Sequence, residues 1–230
     1  MSYLDCEIIE PKTSATCAVI WLHGLGASGH DFVPIVPELQ LPSDMAVRFV
    51  FPHAPTIPVT INGGMAMPAW YDILAMDMER KIDNKQIMAS ADAVKALIER
   101  EISAGISSDK IVLAGFSQGG AVCYQAALTY DKPLAGLMTL STYFATYQAI
   151  VPAAANKSLP IHLFHGTQDQ MVPEAMGLKA LEVLKLLGHE PEYKNYPMGH
   201  EVHPQEIRDI SDRQDGYQKN RIDVVDSLSI

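Results

Sequence analysis

Short β-branched and apolar runs alternate with helix-patterned stretches, and this alternation limits the possible folds more than any other feature of the chain. Residues 18–22 (AVIWL), 47–51 (VRFVF), 111–114 (IVLA), 137–140 (LMTL) and 161–164 (IHLF) are almost continuously apolar. Strands buried on both faces read this way. Between them, Ile87, Ala91, Val94, Ile98 and Ile102 recur on one face of an amphipathic helix. Leu178, Leu181 and Leu184 begin a similar stripe, which Gly188 is placed to end. The pattern predicts an α/β fold: a mostly parallel central sheet with helices on both faces. Such sheets carry their sites outside the carboxyl ends of the strands.

A chain of 230 residues can bury one sizeable core. A single domain over 1–214 is expected, with 215–230 as a weakly ordered tail, because the helical pattern of 203–213 breaks down at Gln214 and Gly216. The net charge of −10 repels phosphate backbones and anionic lipid, so neither nucleic acid nor a stably inserted membrane is an expected partner. The apolar stretch 135–155 is interrupted by Thr139, Ser141, Thr142 and Gln148 and does not read as a membrane span. The first ten residues lack the basic start of a secretory leader. Cys6, Cys17 and Cys123 have no metal-ligand spacing, and an odd, sparse set fits reduced thiols in a cytoplasmic protein. No metal and no cofactor are expected. Residues 52–70 contain Pro52, Pro55, Pro58, Gly63, Gly64 and Pro68 and read as a long functional loop.

Chemistry enters at Gly115-Phe116-Ser117-Gln118-Gly119, which follows the run IVLA and precedes a good helix. G-x-S-x-G in that context is a sharp strand-to-helix turn that lifts a strained serine above the sheet. The following helix directs its N-terminal dipole at any developing anion. A serine hydroxyl needs a base to take its proton. The expected chain order is serine, acid, histidine. Asp169 lies in a turn just past IHLF and is the expected acid; Asp209 and Asp212 sit on a polar helical face beyond the best histidine. Of eight histidines, His200 occupies a loop beyond the strand-like segment 191–196 and is the expected base. His203 precedes Pro204 and reads as a cap or packing residue, and His162 and His165 read as structural. The string H-E-V-H is one residue too short for the zinc motif H-E-x-x-H. After the first buried run, Leu22-His23-Gly24-Leu25-Gly26 is placed to supply an oxyanion donor. The expected pair is the N–H groups of Leu25 and Gln118.

These segments resemble the acyl-protein thioesterase/carboxylesterase group, the phospholipase/carboxylesterase family of α/β-hydrolases. The matching pieces are LHGLG (22–26), residues 52–72, GFSQGG (115–120), LSTYF (140–144), HGTQDQMVP (165–173) and YPMGHEVHP (196–204). The resemblance implies an α/β-hydrolase fold and a serine esterase acting on acyl esters or thioesters, lipid or lipidated protein among them, without metal. It implies the same triad of Ser117, Asp169 and His200, and homodimers are a common assembly of such hydrolases. It also implies an acyl groove between 52–72 and the turn after Asp169, with Met65, Trp70, Met171 and Met176 as its substrate-binding residues. Two departures stand out: Ala27 occupies a position usually held by Asp, and the C-terminus lacks the family's apolar finish. Rival readings are a catalytically silent hydrolase fold used for binding, and an esterase for small soluble esters or lactones.

Overall fold

In the computed structural model of this chain, residues 3–42, 44–77 and 80–212 are described; the expected tail 215–230 lies outside them. Seven strands form the central sheet: β1 (Cys6–Ile9), β2 (Cys17–Leu22), β3 (Val47–Pro52), β8 (Ile111–Phe116), β9 (Gly136–Leu140), β10 (Ile161–Gly166) and β11 (Glu192–Tyr196). Their spatial order is β1-β3-β2-β8-β9-β10-β11, with β1 antiparallel to β3 and all other neighbours parallel. Every residue of β2 and β10 is buried, as the apolar runs require.

Alternate residues of each strand feed two cores. Ala18, Ile20, Leu22, Ile111 and Leu113 meet α2 (Asn84–Ser103), α3 (Gln118–Leu128) and α4 (Glu174–Leu186) on one face. Cys17, Val19, Trp21, Val112 and Ala114 meet α1 (Ile35–Glu38) and the helix over 204–212 on the other. Asp83 caps α2 by accepting N–H bonds from Lys85 and Gln86 at 2.9 and 3.1 Å. The stripe expected on α2 is buried through Ile98. On α4 the stripe is displaced: Leu178 is exposed, and the buried face is Met176, Gly177, Ala180 and Leu184. Gly177 lets that helix close on β10, since a Cβ there would lie 2.5 Å from His165 Nδ1.

The segment read as a loop contains a hairpin. β4 (Thr56–Val59) pairs antiparallel with β5 (Met65–Pro68). Gly63 and Gly64, at φ of 67° and 77°, make the turn. Pro58 and Pro68 are tolerated because the ribbon has only two strands, so their missing N–H groups leave no ladder unpaired. A second small ribbon, β6 (Ile73–Ala75) with β7 (Lys81–Ile82), leads into α2.

Candidate active site

Parallel strands end together, so residues after β2, β8, β10 and β11 collect at one edge. Ser117 follows β8 at φ 52° and ψ −121°, a backbone conformation that costs about 1–3 kcal/mol for a non-glycine residue. Bonds from Ser117 N–H to Leu140 O (2.9 Å) and from Gly120 N–H to Ser117 O (3.0 Å) hold it there. The flanking glycines are steric requirements. A Cβ on Gly115 would lie 2.7 Å from the Gly119 backbone, and one on Gly119 would lie 2.5 Å from His23 O.

The three residues expected from the sequence converge. Ser117 Oγ lies 2.9 Å from His200 Nε2, and His200 Nδ1 lies 2.7 Å from Asp169 Oδ2. An ionised carboxylate only accepts, so Nδ1 carries the ring proton and Nε2 faces the serine with its lone pair. Asp169 is buried, and Oδ1 accepts N–H bonds from Met171 (2.9 Å) and Val172 (2.8 Å). Burial pushes this carboxyl up, but the bonds from His200 and Val172 and the neighbouring imidazoles outweigh it and hold it below the usual range. His165 is buried behind the turn, 2.8 Å from Val172 O, and burial holds its ring below the ordinary histidine value. The Phe116 ring lies 4.7 Å from that of His200. His203 is the N-cap of the last described helix, its Nδ1 accepting from Gln205 N–H at 3.1 Å.

Ser117, His200, Leu25 and Gln118 all border one cavity of about 950 Å³. Gln118 is the first residue of α3, so its N–H has no intrahelical acceptor. In the loop after β2, Gly26 and Ala27 donate to Pro68 O (2.8 Å) and Gly24 O (3.3 Å), and Leu25 takes no part in these bonds. Asp31 braces the far side of that loop by accepting from Ser28 N–H and Oγ–H at 2.7 and 2.9 Å, so the loop stays ordered around Ala27.

Of the four residues expected to form an acyl groove, the structure places Met171 on the cavity wall and the other three elsewhere. Met65 projects from the hairpin turn and is 65% exposed. Trp70 is buried, with its indole N–H donated to His23 O at 2.9 Å. Met176 packs into the core under α4. Met67, Ile73, Met76, Phe116, Arg80 and Tyr143 line the wall instead. Met67 does so because the bond from Gly26 to Pro68 anchors the base of the hairpin over the site. Arg80 donates to Met171 O and lies over the Tyr143 ring at 5.3 Å. Phe116 and Tyr143 lie inside two of the segments that carry the resemblance, GFSQGG and LSTYF; nothing local marks Arg80.

A cluster of Glu7, His30 and His53 lies just past the end of β3 and is not part of the cavity wall. His53 Nδ1 accepts from Gly29 N–H at 3.2 Å, which leaves its proton on Nε2, 3.2 Å from Glu7 Oε1. That nitrogen offers a proton to a carboxylate and no lone pair to a metal. Among the described residues no helix is long and apolar enough to cross a membrane.

The sequence profile described as Phospholipase/Carboxylesterase matches residues 4–214. An acyl-protein thioesterase 1 of Gibberella zeae is 40% identical over 206 residues, covering 85% of this chain and 88% of the relative. One from Cryptococcus neoformans is 38% identical over 224 residues, covering 88% and 92%. Among solved structures, Arabidopsis thaliana SOBER1 superposes with a TM-score of 0.82 at 31% identity, covering 87% of this chain and 98% of that one. Zea mays acyl-protein thioesterase 2 gives 0.82 at 26% identity, covering 94% and 99%. With a profile matched over nearly its whole described length and relatives this similar, the chain belongs to the phospholipase/carboxylesterase family of α/β-hydrolases.

Proposed function

We propose that this ester hydrolase works through Ser117 as nucleophile, His200 as general base and acid, and Asp169 as the group that orients and stabilises the imidazole. The supporting observation is the unbroken chain from Ser117 Oγ through His200 to Asp169 Oδ2, at 2.9 and 2.7 Å, on the wall of the large cavity. His200 Nε2 takes the serine proton as Oγ attacks the acyl carbonyl carbon. The N–H groups of Leu25 and Gln118 receive the oxyanion. Collapse expels the alcohol or thiol, which takes its proton from His200, and water repeats the sequence on the acyl-enzyme.

The acyl donor is an ester or thioester with an apolar chain. Leu25, Ile73, Met67, Met76, Phe116 and Met171 give the cavity walls on which such a chain gains by desolvation. The names of the fungal and maize relatives favour an acylated protein as the physiological substrate.

Ser117→Ala is expected to lose at least about 10³-fold in p-nitrophenyl ester turnover. A fluorophosphonate should label the wild type and not this variant. Retained turnover in the variant rules out the serine mechanism, and an unlabelled wild type assigns the fold to binding. A p-nitrophenyl series from acetate to palmitate, with an S-palmitoylated peptide beside it, should peak above acetate. A profile confined to acetate would assign small soluble esters instead.

A further inference from the structure

The proposed oxyanion donors are backbone N–H groups, so their aim depends on what holds two peptide planes. His23 is fully buried just before Gly24, and both of its ring nitrogens are engaged. The Ala54 N–H points at Nε2 from 3.1 Å. An N–H requires a lone pair, so Nε2 is unprotonated and the ring proton sits on Nδ1. Nδ1 lies 2.7 Å from the Gly24 carbonyl oxygen, which can only accept. Two backbone groups thus decide the tautomer. Burial holds this imidazole below its usual basicity despite the pull of the Gly24 carbonyl, so it stays neutral.

The Gly24 carbonyl belongs to the same peptide unit as the Leu25 N–H. In a planar trans unit the two point to opposite sides, so fixing the oxygen fixes the direction of the N–H. A donor on the carbonyl also polarises the amide and strengthens the N–H as a donor. The preceding peptide is held as well, because Trp70 Nε1–H donates to His23 O at 2.9 Å. Trp70 N–H in turn donates to Gln118 Oε1 (2.8 Å), and Gln118 Nε2 donates to Tyr71 O (2.7 Å). The loop that carries Leu25 and the first turn of α3 that carries Gln118 are therefore cross-linked through buried polar groups.

We propose that His23 is a positioning residue for the oxyanion site: its Nδ1–H bond to Gly24 O holds the Leu25 N–H toward the Ser117 side, and Trp70 ties that loop to the side chain of Gln118. This rests on the serine mechanism proposed above and extends it to a residue that touches no substrate.

The experiment compares His23→Leu, which removes both ring nitrogens at similar volume, with His23→Asn, which keeps a side-chain N–H near the place of Nδ1. Losing a direct oxyanion donor costs about 10²–10³ in rate, so losing its holder is expected to cost about 10–10² in kcat with KM within about threefold. An alkyl boronic acid, which forms a tetrahedral adduct on serine, should weaken by the same factor as kcat/KM. The acidic midpoint of the pH profile should stay where it is, and His23→Asn should recover most of the loss. A folded His23→Leu enzyme with wild-type kcat overturns the proposal, as does a loss in KM alone or an Asn variant no better than Leu. Should His23→Leu fail to fold, ¹⁵N spectra of the wild-type imidazole decide: a protonated Nδ1 and bare Nε2 at neutral pH support the role, and any other state refutes it. Ser117→Ala separates the two levels. If that variant is dead while His23→Leu is unimpaired, only the role of His23 falls; if it is active, the serine mechanism falls first.

Discussion

Replacing Asp169 by Asn should reverse the imidazole rather than merely weaken it. Oδ1 of Asp169 accepts two N–H bonds, from Met171 and Val172. In the variant only the amide oxygen can take that place, because an amide nitrogen would face two donors. The NH₂ group then points at His200 Nδ1, which must accept. The ring proton moves to Nε2 and faces Ser117 Oγ, so no lone pair is left to take the serine proton. Restoring the useful tautomer means turning the Asn and leaving the buried Val172 N–H and the part-buried Met171 N–H unmatched, at about 1–3 kcal/mol for the first and less for the second. The imidazolium of the transition state also loses a charge-assisted bond worth about 1.5–3 kcal/mol. Taking the middle of each range, a combined cost of about 4–6 kcal/mol corresponds to roughly 10³–10⁴ in kcat/KM at about 1.4 kcal/mol per decade. p-Nitrophenyl butyrate hydrolysis from pH 6 to 9 measures it, and a loss below about tenfold would refute the tautomer argument. The same variant tests linkage. The Asp169 carboxyl lies below its usual range, so it contributes stability that is fully present above the unfolded value near 3.9 and is lost as pH falls through the lower folded value. Asp169→Asn is expected to lower Tm at pH 7, with the gap closing on acidification.

Glu206 is fully buried, and Oε1 has no partner among the described residues; burial pushes its carboxyl up to about 8. An acid raised on folding costs stability increasingly as pH climbs from its unfolded value to its folded one, so Glu206→Gln should stabilise by about 1 kcal/mol or less at pH 5 and by about 3–4 kcal/mol at pH 7.5, read by thermal melts at both pH values. Gly119→Ala places a methyl 2.5 Å from His23 O and 2.7 Å from Leu22 O, both backbone atoms. It should destabilise by about 1–3 kcal/mol and lower kcat, checked by urea melts beside ester turnover. Met67→Ala should change the acyl chain-length optimum and Met65→Ala should not, since only Met67 lies on the cavity wall; equal effects in the ester series would contradict that assignment.

What could be read in advance follows the range of the interactions involved. The strands were legible because burial on both faces demands apolar residues at every position, and β2 and β10 meet that demand along their whole length. The convergence of Ser117, Asp169 and His200 was legible because a parallel sheet converts positions far apart in sequence into neighbours at one edge, so searching just past each strand was enough. The face of α4 was misjudged because Leu178 marks the outside and Leu181 only its margin, while the close approach to β10 is made at Gly177, whose value is its smallness. The hairpin was missed because prolines argue against strands only where a neighbour must be paired, and this ribbon has no outer neighbour. The cavity wall was hardest. Met65 and Met67 are two residues apart on one strand, and it is the Met67 end, tied down by the bond from Gly26 to Pro68, that reaches the cavity. Trp70 shows the same limit from the other side. A large aromatic in a loop that resembles the family's groove segment suggests substrate contact, yet its indole and backbone N–H groups are consumed by His23 and Gln118. Its polar groups hold other parts of the chain in place, and partners 47 and 48 positions away cannot be identified without the fold.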